Sequence, residues 1–322
     1  IAIPSTAIGT GVTSIKVIAT NGSTGCNVEL TDTELITVNA NPTASVLSIT
    51  GSTEICAGDA TTLAVSITGG SSPYELNINN LAGVQTGYIS ASDIAVSPGA
   101  TTVYSLISVK DANGCESGGK SGTPTVTVQP LPIVYSVTGG GSYCSDVPVA
   151  QGLGVSNSET GINYILVRDG STDVETVGGT TGNPVNFTAT TTPGVYTVRA
   201  QRSAAPACPV MMSGSVSITS DPLPSAILAF SLSSATLCDQ ETVIGTVTGS
   251  ESGVNYQMFD QLDNVLSAVV AGDGGDIAIP STAIGTGVTS IKVIATNGST
   301  GCNVELTDTE LITVNANPTA SV

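Results

Sequence analysis

The chain contains no histidine and no tryptophan, and its 322 residues include only 7 Lys and Arg against 25 Asp and Glu. The missing histidine excludes His-based catalytic triads and His-ligated zinc. The net charge of −18 disfavours nucleic acid as a partner, because binding phosphates depends on basic side chains that release counterions. The same charge opposes attraction to an anionic membrane surface. Enzymatic function is therefore not expected.

Long apolar runs and aromatic side chains are also scarce. No stretch of about 18 consecutive apolar residues occurs, so we predict no membrane insertion in this segment. With only 8 Tyr and 3 Phe, the cores must be small and built from Val, Ile, Leu and Ala. The chain is rich instead in glycine and proline, with 37 Gly and 16 Pro. Together with runs of Thr, Ser and Val, they predict many short strands joined by turns.

The strongest positive feature is an internal repeat. Residues 1–46 return without one change as residues 277–322, at an offset of 276 residues. A shared fold does not require such identity, because cores tolerate many hydrophobic substitutions of similar volume. We interpret the chain as slightly more than one period of a longer tandem array, cut within a domain.

A finer repeat divides this period into three. Prolines at 42, 132, 224 and 318 mark junctions that are 90, 92 and 94 residues apart. About seven short strands in some 90 residues, without helical periodicity, indicate an immunoglobulin-like β-sandwich. We therefore predict an all-β extended rod of tandem Ig-like domains. The predicted domains are 42–129, 130–221 and 222–317, with 1–41 as the C-terminal half of an Ig-like domain (the copy of 277–317) and 318–322 as the start of the next repeat.

Two phrases recur between these predicted domains. Glu159 to Tyr164 reads Glu-Thr-Gly-Ile-Asn-Tyr, and Glu251 to Tyr256 reads Glu-Ser-Gly-Val-Asn-Tyr. With the proline linkers, the Gly-Val-Tyr-Thr-Val strand at 194–198 and the late cysteines, they resemble the Ig-like or PKD-like repeats of giant Bacteroidota cell-surface adhesins. Such adhesins, among them gliding-motility adhesins, are exported by type IX secretion. The resemblance implies a secreted, surface-attached array and identifies no ligand.

Seven cysteines in a regular arrangement predict disulfides and an oxidising, extracellular compartment. Pairing within domains, which we favour, gives Cys56–Cys115, Cys144–Cys208 and Cys238–Cys302, with Cys26 paired outside the window. The alternative joins the first cysteine of one domain to the second of the next, as Cys56–Cys208 and Cys144–Cys302. Free buried thiols are the third interpretation.

Two further motifs suggest chemistry that we do not expect. Residues 114–121 match the Walker A pattern, but a strand follows where a phosphate-binding helix is required. A Gly-rich hairpin loop is the predicted structure. Lys292 and its copy Lys16 lie in an apolar strand, where alternation predicts an outward-facing side chain rather than an isopeptide crosslink.

Calcium is the one cofactor that the sequence suggests. Asp111 and Asn113 have the spacing of a short oxygen-ligand loop, and Asp273 and Asp276 form a second candidate. The alternative is that these residues form ordinary solvated turns, because Asp, Asn and Gly favour turns on their own account.

The leading hypothesis is a structural segment of an extracellular filament or cell-surface stalk that associates with itself axially and laterally. The alternative is an adhesin that binds a glycan or a protein, for which Tyr88, Tyr135 and Tyr143 are the only aromatic candidates; we expect them to pack in the fold. A third hypothesis makes these domains spacers in a large secreted enzyme.

Overall fold

A computed structural model describes residues 8–318, and every regular element in that range is a β-strand. The chain divides into two compact units. One takes in the residues up to Ile133 together with Gly161–Asn163 and Ala200–Val210; the other takes in Val134–Thr160, Tyr164–Arg199 and the residues from Met211 onward. No helix in the described range has the length and apolar character needed to cross a membrane.

The N-terminal segment forms two antiparallel pairs, β1 with β4 and β2 with β3. Its strands are β1 (Gly11–Ile15), β2 (Ile18–Thr20), β3 (Asn27–Glu29) and β4 (Glu34–Val38).

Residues 42–129 form three sheets with the orders β10-β7-β5-β13, β11-β14-β6 and β12-β8-β9. Their buried side chains belong to one hydrophobic cluster, so the sheets enclose a single core. The strands are β5 (Pro42–Ile49), β6 (Glu54–Cys56), β7 (Thr61–Gly69), β8 (Tyr74–Ile78), β9 (Gln85–Tyr88), β10 (Asp93–Val96), β11 (Thr102–Val103), β12 (Leu106–Lys110), β13 (Lys120–Ser121) and β14 (Thr125–Gln129).

The next segment forms one sheet with the order β15-β17-β20 and a larger one with the order β16-β23-β21-β18-β19, to which β22 adds beside β21. The strands are β15 (Val137–Gly139), β16 (Gly141–Cys144), β17 (Leu153–Val155), β18 (Ile162–Arg168), β19 (Thr172–Gly178), β20 (Val185–Asn186), β21 (Gly194–Arg202), β22 (Val210–Met211) and β23 (Val216–Asp221).

The last segment has sheets ordered β24-β26-β29, β25-β33 and β28-β27-β30-β31, with β32 beside β30. The strands are β24 (Phe230–Leu232), β25 (Thr236–Cys238), β26 (Ile244–Val247), β27 (Val254–Asp260), β28 (Val270–Ala271), β29 (Ile277–Pro280), β30 (Ser290–Asn297), β31 (Asn303–Glu305), β32 (Glu310–Leu311) and β33 (Thr313–Asn315).

Period-2 alternation of apolar residues explains why these segments form half-buried strands. In β27 every second side chain is buried, from Val254 through Tyr256 and Met258 to Asp260. Its partner β30 alternates in the same way, and the two pair in antiparallel register. The predicted fold class is confirmed in that the chain is all-β and consists of tandem Ig-like β-sandwich domains; the extended-rod arrangement stays a prediction.

The cores are aliphatic, as the composition predicts, with tyrosine as the main aromatic. One hydrophobic cluster draws on side chains between Leu47 and Val128, and another on side chains between Leu228 and Val314. Both fall inside the predicted domains 42–129 and 222–317. The domain boundaries themselves stay predictions.

The two identical segments form the same pairings. Ile18 pairs with Glu29 in the first copy, as Ile294 pairs with Glu305 in the second. Likewise Ser14 pairs with Leu35, as Ser290 pairs with Leu311. The local hairpins are therefore specified by this segment's own sequence.

Candidate functional site: the cysteine junctions

The first cysteine of each repeat occupies the same structural position. Cys56, Cys144 and Cys238 each end a short strand that runs parallel to the last strand of the same segment. Their partners in the parallel register are Gln129, Asp221 and Asn315 respectively. Each cysteine therefore lies beside the point where the chain leaves that segment for the next.

The second cysteine of each repeat lies in a loop near a late strand. The N–H of Asn297 donates to Cys302 O at 2.8 Å, closing the turn between β30 and β31. The N–H of Cys115 donates to the Asp111 carboxylate at 2.9 Å. Cys208 lies in the 200–210 segment, which belongs to the same compact unit as Cys56.

Two disulfides join these positions, and both follow the alternative pairing. Cys56 bonds to Cys208 with a Cα–Cα distance of 5.4 Å, and Cys144 bonds to Cys302 with a Cα–Cα distance of 5.5 Å. Cys26, Cys115 and Cys238 are free. The favoured within-domain pairing is therefore wrong for Cys56–Cys115, Cys144–Cys208 and Cys238–Cys302.

The physical reason is the broken first strand. A displaced first cysteine would favour within-domain pairing only if the break moved it towards the second cysteine of its own domain. In the structure the chain does leave β5 before reaching Cys56, but β6 then runs parallel to β14 and carries that cysteine to the exit of its segment. Parallel pairing of first and last strands was not apparent from the sequence, and it decides the disulfide pattern.

The two disulfides span long stretches of sequence, 152 and 158 residues. Cys208 and Cys302 are each 1% exposed, whereas Cys26 and Cys238 are exposed and Cys115 is intermediate. A bond that closes a long loop restricts the unfolded chain most in the loop-entropy model. Each junction disulfide is thus a long-range constraint with one fully buried cysteine, while its partner is 8% exposed at Cys56 and half-buried at Cys144.

The calcium candidates carry structural hydrogen bonds. The Asp111 carboxylate is buried and accepts from the N–H groups of Ser71, Asn113 and Cys115 at 2.9 Å each. Burial raises the pKa of Asp111, but these hydrogen bonds outweigh it and hold the pKa below its ordinary value. The carboxylate is anionic and orders the loop that ends at Cys115.

The second candidate pair, Asp273 and Asp276, also accepts backbone hydrogen bonds, here at the surface. Asp273 accepts from the N–H of Gly275, and Asp276 accepts from the N–H of Gly249, each at 2.9 Å. Within residues 8–318, no group of three or more His, Cys, Asp and Glu side chains is placed to hold a metal ion. Calcium at these residues stays a prediction.

One buried acid was missed by the sequence reasoning. Asp260 is 5% exposed, and its carboxylate accepts from the N–H groups of Leu262 and Asn264 at 2.8 Å each. Burial raises the pKa of Asp260, but hydrogen bonds from Asn264 and Leu262 outweigh it and lower the pKa. An aspartate at the end of an alternating strand, four residues before an asparagine, is the signal that could have identified this turn.

The recurring tyrosine phrase also has a structural role. Tyr164 and Tyr256 are fully buried, and their hydroxyls accept from the N–H groups of Glu159 and Glu251 at 3.1 and 2.9 Å. Each tyrosine therefore ties the loop before its strand to the core. Tyr88 is also buried, and its hydroxyl donates to Ser92 O at 2.7 Å. The side chains of these three tyrosines therefore stabilise the fold.

The Walker-like segment and Lys292 both make structural contacts, and the predicted hairpin loop at 114–121 ends in a short strand. Lys120 and Ser121 of the Walker-like segment form β13, which pairs with β5, and no phosphate-binding helix follows. Lys292 points away from the core, with its Nζ at 2.6 Å from Asp263 Oδ1 and 2.9 Å from Glu305 Oε2. Hydrogen bonds that Lys292 donates to these two carboxylates raise the pKa of Lys292 to about 12, so its amine is a cation at neutral pH.

Comparisons with known proteins find solved structures with low TM-scores. No protein-family model matches this chain, and no curated protein sequence matches it. Among solved structures, the I9–I11 tandem of titin is 11% identical, with a TM-score of 0.26, covering 86% of this chain and 98% of its own. The full Ig1–Ig3 ectodomain of mouse nectin-like molecule 4 is 14% identical, with a TM-score of 0.32, covering 84% and 98%. Fibronectin(III)-like modules of Clostridium thermocellum CbhA are 12% identical, with a TM-score of 0.32, covering 58% and 99%.

Proposed function

We propose that this chain is a structural segment of an extracellular filament or surface stalk, built from three-domain units that repeat every 276 residues. The observation that carries the proposal is the pair of disulfides from one sequence repeat to the next, Cys56–Cys208 and Cys144–Cys302. A role that depends on domains staying connected explains covalent bonds between successive repeats, whereas independent ligand-binding modules do not need them.

The position of these bonds supports a load-bearing role. Proline-marked linkers are single covalent connections, and proline stiffens them by fixing φ. Each disulfide adds a second covalent connection at the place where one segment passes to the next. Force applied along the chain is then shared between the linker and the disulfide at each junction.

Partner and location follow from the same features. The proposed partner is further copies of the same unit, continuing axially and associating laterally. Disulfides persist in oxidising compartments, which supports an extracellular, surface-attached location, with export of the Bacteroidota adhesin kind. A catalytic role is not part of the proposal. The acidic surface, with 25 Asp and Glu against 7 Lys and Arg, supports solubility rather than nucleic-acid binding.

Electron microscopy of the native material tests this function. Three sandwiches end to end should give an axial repeat of roughly 110–150 Å, from strands of about 7–10 residues at about 3.3 Å each plus loops. Ordered filaments with a layer line at that spacing are the expected result. Thin, unassociated strings ending in a distinct tip would instead favour the adhesin alternative, with ligand binding at the tip.

A further inference from the structure

The N-terminal copy of the repeat exposes a face that its identical second copy buries. Val293 and Leu306 are 0% and 1% exposed, whereas their copies Val17 and Leu30 are 41% and 47% exposed. In the second copy this face is covered by side chains of the preceding residues, with β27 paired along β30. The sequence and pairing of the two copies are the same, so only the covering segment differs.

The covering segment also carries a free cysteine. Cys238 ends β25, which pairs in parallel with β33 so that Cys238 lies opposite Asn315. Asn39 occupies the position in the first copy of the repeat that Asn315 occupies in the second. A covering segment added to the first copy in the same register therefore brings its own copy of Cys238 opposite Asn39.

A second free cysteine already occupies that location. Cys115 Sγ lies 4.0 Å from Asn39 O. Cys115 also stands in the same place within its repeat as Cys208 and Cys302, each of which bonds to the first cysteine of the repeat before it. The position near Asn39 and the order of the cysteines along the sequence are independent observations. Both pair Cys115 with the preceding unit's copy of Cys238.

We infer that a copy of residues 222–276 from the preceding unit packs on β1–β4 and forms a disulfide from its Cys238 to Cys115. This inference rests on the proposed function, because it makes the repeating unit covalently continuous. One bond of this kind per unit, together with the two observed, gives every sandwich a disulfide to the next. Cys26, the copy of Cys302, pairs by the same rule with the preceding unit's copy of Cys144.

Bond formation requires an oxidant, and a disulfide-bearing thiol oxidant of the extracytoplasmic kind balances the step. The Cys238 thiolate attacks one sulfur of the carrier disulfide, giving a mixed disulfide and one carrier thiolate. The Cys115 thiolate then attacks the Cys238 sulfur and expels the second carrier thiolate. The carrier takes up the two electrons and the two protons that the cysteines lose, leaving a carrier dithiol.

Peptide mapping of the native full-length protein tests the inference. Free thiols are blocked with iodoacetamide in denaturant, and the protein is then digested without reduction and analysed by mass spectrometry. A linked pair of peptides carrying Cys238 and Cys115, as abundant as the pair carrying Cys144 and Cys302, is expected. Carbamidomethylated Cys238 throughout, or Cys238 linked to any other cysteine, overturns the inference.

A lengthened chain gives the matched control. Adding one further 276-residue period creates one complete junction between successive units. The number of thiols per chain in denaturant should stay at the three of the present chain, while an unbonded junction adds two. Cys238→Ser in the first unit should release one thiol at the junction, whereas Cys26→Ser should only remove its own.

These results separate the inference from the proposed function. Ordered filaments with alkylated Cys238 reject the disulfide and support the proposed function. Linked Cys238 and Cys115 peptides without filaments support the disulfide and reject the proposed function. Gel electrophoresis identifies the source of the covering segment. If successive units belong to one chain, reduction leaves its mass unchanged, and if they are separate chains, reduction releases single units.

Discussion

Removal of the Cys56–Cys208 bond tests the disulfide pattern most directly. Replacing Cys56 by serine breaks a bond that spans 152 residues, for which loop entropy gives about 5 kcal/mol. The measured loss should be smaller, because unfolded domains keep residual structure and relaxation at the junction recovers part of the energy. We expect a loss of about 2–4 kcal/mol in unfolding free energy of the 42–129 segment, read from urea unfolding.

The assay also reports which thiol the variant releases. In Cys56→Ser, alkylation in denaturant followed by mass spectrometry should show Cys208 as the one new thiol, with Cys115 alkylated to the same extent as in the parent chain. Cys115→Ser in the same 322-residue chain is the matched control, since Cys115 is free in that chain and its loss should change stability by less than about 0.5 kcal/mol. Release of Cys115 by Cys56→Ser, or equal destabilisation by both variants, would refute the between-repeat pairing.

Three further predictions concern the fold. Tyr256→Phe removes the buried acceptor for the Glu251 N–H at 2.9 Å and should cost about 1–2 kcal/mol in urea unfolding; an unchanged midpoint contradicts the anchoring role. Asp111→Ala removes three hydrogen bonds to a carboxylate and should cost about 3 kcal/mol at neutral pH. The folded pKa of Asp111 is lowered, so this stabilisation is present above the ordinary pKa of 3.8 and is lost as pH falls through the folded pKa. The Asp111→Ala variant should therefore be less sensitive to acid than the parent chain. Equal acid unfolding curves for the two proteins would contradict this role of Asp111. Gly245→Ala places a Cβ 2.6 Å from the sulfur of the core Met258, and this overpacking should lower the unfolding free energy by about 1–3 kcal/mol, seen as a lower thermal midpoint. Gly118→Ala meets nothing within 4 Å and should leave the midpoint unchanged.

The tyrosine anchors show how far sequence reasoning reached. The repeated phrase at 159–164 and 251–256 marked the domain type through its resemblance to Ig-like repeats. The role of its two tyrosines in holding the Glu159 and Glu251 backbone required the structure. A hydroxyl's partner depends on a loop that folds back over it, which local sequence does not encode.

The charged residues show a second limit. Alternation correctly placed Lys292 on the face opposite the core, but its contacts with Asp263 and Glu305 come from two different elements. Asp260 was missed because aspartate is an ordinary turn former. Its burial depends on how tightly the following turn closes over the carboxylate.

The sequence by itself determined the strand composition, the 276-residue period and the aliphatic character of the cores. These properties arise from local alternation, turn residues and repetition, all of which are readable along one chain. Only the tertiary structure decided which cysteines meet. That choice depends on the parallel pairing of β6 with β14 and of β16 with β23, and strands far apart in sequence find such register through packing of the whole sandwich.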